Sequence, residues 1–172
     1  MNFIHIPKTA GTSIYKTLGI KEPGHKKLLK YMPNTFSVVR NPFDRLVSHF
    51  CYVKTNNSYY YKKHPEYDLI KDCNFSDFVY LVLSSKKILL NPQCYYICDD
   101  KDNILVEHIL KFESLNEDFK KFWDLDLLHI NKSKREKDWR IYYNKATLKI
   151  VSEIFNKDFK IFNYDRRTKR LG

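Results

Sequence analysis

Two junctions constrain this chain more than any other feature. The apolar run Phe3-Ile4-His5-Ile6 stops at Pro7, and after residues 8–12 the segment Ser13-Ile14-Tyr15-Lys16-Thr17-Leu18 follows, closed by Gly19. This reads as strand, loop, helix. The second run, Thr35-Phe36-Ser37-Val38-Val39, ends at Arg40, and the next helix is signalled by Asn41 as N-cap, Pro42 at its first position and Asp44 in its first turn. Leu46, Val47 and Phe50 give that helix an apolar stripe.

Further along, Asn74 or Ser76 can cap a helix through Phe78, Val79, Leu81 and Val82, which Asn91-Pro92-Gln93 interrupts. Residues 104–112 read as a third strand leading into Ser114-Leu115-Asn116-Glu117, the spacing of a capping box, with Phe119, Phe122 and Trp123 as the buried face of the helix that follows. Residues 56–67 read as a loop or lid, 127–137 as a basic loop, 144–156 as a last helix with Leu148, Val151 and Phe155 on one side, and 165–172 as a charged, frayed tail. Strands alternating with helices give an α/β layer architecture with a mainly parallel sheet. The chain of 172 residues is expected to form a single domain, with 43% hydrophobic residues to fill its core.

Charge narrows the function. Thirty-one Lys and Arg against 20 Asp and Glu leave +11, so the partner or substrate is expected to be anionic: a nucleotide, a nucleic acid, an acidic glycan or a membrane surface. No run approaches the roughly 20 apolar residues that span a bilayer, and no leader precedes the first strand, so the chain is expected to be soluble and cytoplasmic. Cys51, Cys73, Cys94 and Cys98 lack metal-site spacing and are read as reduced thiols.

The first junction has the form in which backbone N–H groups and a helix start surround a phosphate. It is not a Walker A loop, because Lys8 precedes the loop's glycine, Gly11, by three residues instead of following it beside a Ser or Thr. At the second junction Arg40 offers paired, charge-assisted donors, and Ser48, about two turns into the helix, can share the same anion. Arg45 either assists or forms a surface ion pair.

Residues 3–13 resemble the 5′-phosphosulfate loop of sulfotransferases that use 3′-phosphoadenosine 5′-phosphosulfate (PAPS). Val38-Val39-Arg40-Asn41-Pro42-Phe43-Asp44-Arg45-Leu46-Val47-Ser48 resembles their 3′-phosphate segment. The likeness is to the carbohydrate (family 2) branch and its small bacterial or viral relatives. It continues through Gly24-His25, Phe75-Ser76-Asp77-Phe78, Pro92-Gln93, Phe112-Glu113-Ser114-Leu115 and His129-Ile130-Asn131-Lys132-Ser133. The resemblance implies a P-loop-like fold with a central, mainly parallel sheet flanked by helices, and metal-free transfer of a sulfuryl group from PAPS to a hydroxyl of a glycan or small metabolite.

By the same resemblance Lys8 neutralises charge on the bridging oxygen, and Thr9, Ala10, Gly11, Thr12 and Ser13 hold the 5′ end. Arg40 and Ser48 take the 3′-phosphate, Lys132 and Arg135 fold over the nucleotide, and His25 is the base. Glu113 is read as a second base, an orienter, or a cap or ion-pair residue. His5 is read as structural, and His49 as near the nucleotide or on the surface; His64 and His108 carry no motif. Lys26, Lys27, Lys62 and Lys63 are candidate subsites for an anionic acceptor, with neither a specific nucleic acid nor a membrane as partner. Two other classes remain open: a noncatalytic basic nucleic-acid-binding protein, whose many Tyr and Phe would stack on bases, and a relative of P-loop nucleotide kinases.

Overall fold

The computed structural model describes residues 1–55, 70, 72–84, 90–130 and 135–166. The stretch 56–67, with Lys62, Lys63 and His64, lies outside them, as do Lys132 and residues 167–172 of the tail. Within the described residues, β1 (Asn2–Ile4), β2 (Met32–Val39) and β3 (Val106–Lys111) form a parallel sheet in the order β1-β2-β3. Phe3 lies opposite Phe36, and Phe36 opposite His108. Helices flank the sheet, as the alternation in the sequence predicts.

Seven α-helices are described: α1 (Gly11–Thr17), α2 (Pro42–Thr55), α3 (Phe75–Ser84), α4 (Cys94–Ile97), α5 (Leu115–Trp123), α6 (Lys145–Ile154) and α7 (Asn156–Ile161). One apolar cluster joins Phe3, Phe36, Val38 and Leu110 to Ile14 of α1 and to Leu115 and Phe119 of α5. Another packs Ile6, Val39 and Val106 against Cys94 and Ile97 of α4 and against Phe162. The period-2 alternation of β2 separates them, Phe36 and Val38 in one cluster and Val39 in the other. A third cluster, around Phe43, Phe50, Phe75, Phe78, Val151, Phe155 and Phe159, fuses α2, α3, α6 and α7. This anchors α2, which carries the second junction's polar residues.

The caps follow the sequence at two helices and depart from it at a third. Asn41 Oδ1 accepts the N–H of Phe43 at 2.9 Å, and Asn74 Oδ1 accepts that of Asp77 at 2.9 Å. Ser114 does not form the expected capping box with Glu117; its hydroxyl donates to Asp118 at 2.9 Å, because a 3-10 turn over Phe112–Ser114 brings the chain into α5 already coiled. Phe119 is fully buried, but Phe122 is 42% exposed and its ring lies 5.5 Å from that of His108.

The last helix is two. Asn144 and Thr147 close a reciprocal capping box on α6, and the chain breaks helical geometry at Phe155 before α7 begins. The third strand is shorter than its apolar run, since Ile104 leaves it to make a bridge with Cys98. No helix among the described residues is long and apolar enough to cross a membrane.

Candidate active site

Parallel pairing places the carboxyl ends of β1 and β2 side by side, so the two junctions meet at one edge of the sheet. Arg40 Nη1 donates to the carbonyl of Lys8 at 3.2 Å, tying the second junction directly to the first loop.

The loop itself is bent into a concavity. Lys8 and Ala10 both adopt left-handed backbone angles, φ 70° and 66°, a conformation that costs a non-glycine residue roughly 1–2 kcal/mol. Such residues turn consecutive N–H groups to one side, the geometry of an anion nest. Thr9 is fully buried and donates its hydroxyl to the Ile6 carbonyl at 2.8 Å, which pins the bend. The first helical bond of α1 runs from Ile14 N–H to Ala10 O at 3.1 Å, so Gly11, Thr12 and Ser13 keep their N–H groups outside the helix ladder. Ser13's hydroxyl is engaged elsewhere: it accepts from Ile130 N at 3.1 Å. Thr17 Oγ1 accepts from Leu128 N at 3.0 Å, so residues 128–130 lie along α1.

Gly11 is required by an approach, not by a turn. A Cβ there would stand 1.7 Å from Nε2 of His5. The His5 ring is 6% exposed, contacts Phe3 at 5.4 Å and His25 at 4.3 Å, and its Nδ1 has no hydrogen-bond partner among the described residues. Burial, with the charges of His25 and Lys8 adding to it, pulls its pKa down to about 3, so the ring is neutral. His25 is exposed, and its Nδ1 lies 3.3 Å from the carbonyl of His5. The structure therefore brings His25 against the His5 ring, which itself lies against Gly11 of the loop.

Four cations gather here. The Lys8 ammonium sits 3.6 Å from the centre of the Tyr52 ring, and burial, then Arg40, pull its pKa down to about 7, with Arg45 and Arg135 adding to the shift. The Arg40 guanidinium lies 3.7 Å from the centre of the Phe112 ring. Its Nε and Nη2 both contact Oδ2 of Asp44, at 2.8 and 2.7 Å, while Nη2 of Arg135 meets Oδ1 of the same carboxylate at 2.6 Å. One aspartate thus holds two guanidinia side by side. Ser48, 7% exposed, lies one turn beyond Asp44 on the same face of α2.

Arg45 is neither a surface residue nor part of a surface ion pair. It is 1% exposed and donates from Nε to Pro7 O and from Nη1 to Asn91 O, both at 2.9 Å. Burial lowers its pKa to about 10 against the opposing pull of Asp158. His49 is likewise buried, 2% exposed, and burial followed by Lys8 lowers its pKa to about 3. Glu113 takes a capping place: it accepts from the N–H of Asn41 at 2.7 Å and from the Tyr164 hydroxyl at 2.8 Å. Away from this centre, Lys27 pairs with Asp100 at 3.8 Å and lies 5.4 Å from the Tyr95 ring centre.

Of the residues singled out from sequence, Lys8 to Ser13 form the first loop, Arg40 contacts that loop and meets Arg135 at Asp44, His25 lies beside His5, Ser48 lies on α2 one turn past Asp44, and Lys132 lies outside the described residues. Asp44, Tyr52 and Phe112 complete the arrangement and were not read as site residues; the Arg40–Asp44 spacing of four was the available signal. The cluster can surround a strongly anionic ligand at two points and offers an imidazole beside them. Residues 1–165 match the family model described as sulfotransferase family. No curated protein and no solved structure matches the chain.

Proposed function

The chain belongs to the sulfotransferase family, and from that premise we propose that it transfers the sulfuryl group of PAPS to a hydroxyl of a glycan or small metabolite in the cytoplasm, releasing 3′,5′-bisphosphoadenosine. The observation that carries this reading is the 3.2 Å bond between Arg40 and the Lys8 carbonyl, which makes one site of the two phosphate motifs. The loop's N–H groups face the 5′-phosphosulfate. Arg40 and Ser48, with Arg135 beside them, take the 3′-phosphate.

The acceptor oxygen attacks sulfur as the bond from sulfur to the 5′-phosphate oxygen breaks, and the electron pair leaves on that phosphate. Lys8, protonated, neutralises the charge that grows there. The acceptor's proton passes to His25. A carbonyl can only accept, so the contact with His5 O places a hydrogen of His25 on Nδ1, and in the neutral ring Nε2 is then the atom whose lone pair takes the acceptor's proton. Two anchored phosphates fix the sulfur for in-line attack, and positioning supplies much of the acceleration. The excess positive charge favours an anionic acceptor, with Lys26 and Lys27 near His25 in sequence.

Thermal shift tests the reading. Bisphosphoadenosine should raise Tm well above the rise given by ADP, and radiolabelled PAPS should then pass its sulfur to an acceptor. Equal stabilisation by the two nucleotides would remove the 3′-phosphate assignment. His25→Ala should depress turnover while bisphosphoadenosine still binds.

A further inference from the structure

We propose that Gln93 is a positioning residue for the 3′-phosphate subsite, its side-chain amide acting as a one-residue strand that fixes the peptide of Arg40. The inference rests on the assignment of Arg40 to the 3′-phosphate made above. The β2–β3 ladder ends with Val39 opposite Lys111, so Arg40 lies one residue past the register, and it is only 6% exposed. Its backbone N–H and C=O need partners where water is scarce. Gln93 supplies both: Oε1 accepts from Arg40 N and Nε2 donates to Arg40 O, each at 2.8 Å. With the peptide plane held from one side, the side chain extends between the Phe112 ring, Asp44 and the Lys8 carbonyl.

Gln93 is itself immobilised. It is fully buried, and its N–H donates to Asp158 Oδ2 at 2.7 Å while the N–H of Cys94 donates to Oδ1 at 2.9 Å. Asp158, also fully buried, reaches this connector from α7. The same short connector is tied to the first junction through Arg45, which bridges Asn91 O and Pro7 O. Residues 91–93 therefore contact both phosphate motifs and set the distance between them. A side-chain amide is suited to this because it presents a donor and an acceptor in one plane. An ionised glutamate offers acceptors only, and methionine offers neither.

The test compares calorimetric Kd values for 3′,5′-bisphosphoadenosine and adenosine 5′-monophosphate, which differ only by the 3′-phosphate, in the wild type, Gln93→Met and Asp158→Asn. Gln93→Met should weaken the bisphosphate about tenfold and the monophosphate less than about twofold, because only Arg40's placement is lost. Asp158→Asn, which loosens the connector and also removes the carboxylate that acts on Arg45, should weaken both nucleotides, the bisphosphate by about threefold more. Equal losses for both ligands, or an unchanged bisphosphate Kd, would overturn the role of Gln93. If Gln93→Met does not fold, Asp158→Asn decides by the same ratio. A wild-type protein that binds the two nucleotides equally overturns instead the Arg40 assignment beneath.

Discussion

Lys8 makes nucleotide affinity depend on pH in a window where few other groups at the site titrate. In the free protein burial and the neighbouring Arg40, Arg45 and Arg135 bring its pKa from 10.5 to about 7. A phosphate placed in the loop reverses the second cause and restores the ammonium, so binding above pH 7 takes up a proton. At pH 7.5 about a quarter of Lys8 is charged and at pH 8.5 about 3%, so the Kd of bisphosphoadenosine should rise about eightfold, or about 1.2 kcal/mol, over that unit. The ligand's own phosphates are already ionised there, since their second pKa is about 6. His5 and His49 are long neutral at about 3, and Arg45, at about 10, keeps its proton. The sign for the free fold is opposite. A lysine depressed in the folded state destabilises it fully below pH 7, and that cost disappears as pH rises toward 10.5. Calorimetry in buffers of different ionisation enthalpy reads the proton directly: about 0.9 should be taken up per nucleotide at pH 8. Lys8→Met should bind more weakly and show no slope. A wild-type Kd that stays level from pH 7.5 to 8.5, or a slope that survives in Lys8→Met, would refute the assignment of the proton to Lys8.

Two further perturbations probe the frame around the site. Gly11→Ala places a methyl group against the His5 ring, 1.7 Å from Nε2, and should cost about 1–3 kcal/mol in urea unfolding; His5→Ala in the same chain should recover part of that loss. Asn144→Ala removes one half of the α6 capping box and should cost about 1 kcal/mol, with nucleotide affinity unchanged because α6 contributes no side chain to the loop or to Arg40 among the described residues.

The fold was legible where apolar runs are punctuated. Pro7 and Asn41-Pro42 mark both strand-to-helix junctions, and the parallel pairing of the strands before them then brings Lys8 and Arg40 together. What the sequence hid is long-range polar satisfaction. Gln93 meets Arg40 across 53 residues and Asp158 across 65, and no periodicity records a buried amide that needs a partner that far away. Gly11 reads as a turn glycine, yet the reason for it is a ring that arrives from the preceding strand. Arg45 and His49 look solvated because they are polar residues on a helix, but α2 is packed on several sides and buries both. The Ser114 spacing misled for a local reason: an aspartate four residues on competes for the hydroxyl that a capping box would use.

The charges around the loop explain why these long-range contacts exist. Asp158 offsets part of the cost of burying Arg45, whose pKa still falls to about 10. Arg40 and Arg135 share the single carboxylate of Asp44, and the groups that act on Lys8 are cations and a thiol, with no carboxylate among them. Arg40, Arg135 and a partly protonated Lys8 face Asp44, with Glu113 also acting on Arg40, so cations outnumber carboxylates in this half-buried space while Lys8 holds its proton, a costly arrangement unless a ligand carries the balancing charge. Such a cluster tends to push itself apart, by side-chain rotation or by shifting the loop, and either would separate the two motifs. Gln93 opposes the first by fixing Arg40 at its backbone, and Arg45 opposes the second by holding the Pro7 carbonyl. Both restraints act on peptide groups, not on the guanidinium and ammonium ends, so they hold the cations in place without neutralising them. Repulsion maintained in this way is released only when an anion with charge at two points arrives, which ties the strength of binding to the distance that residues 91–93 impose.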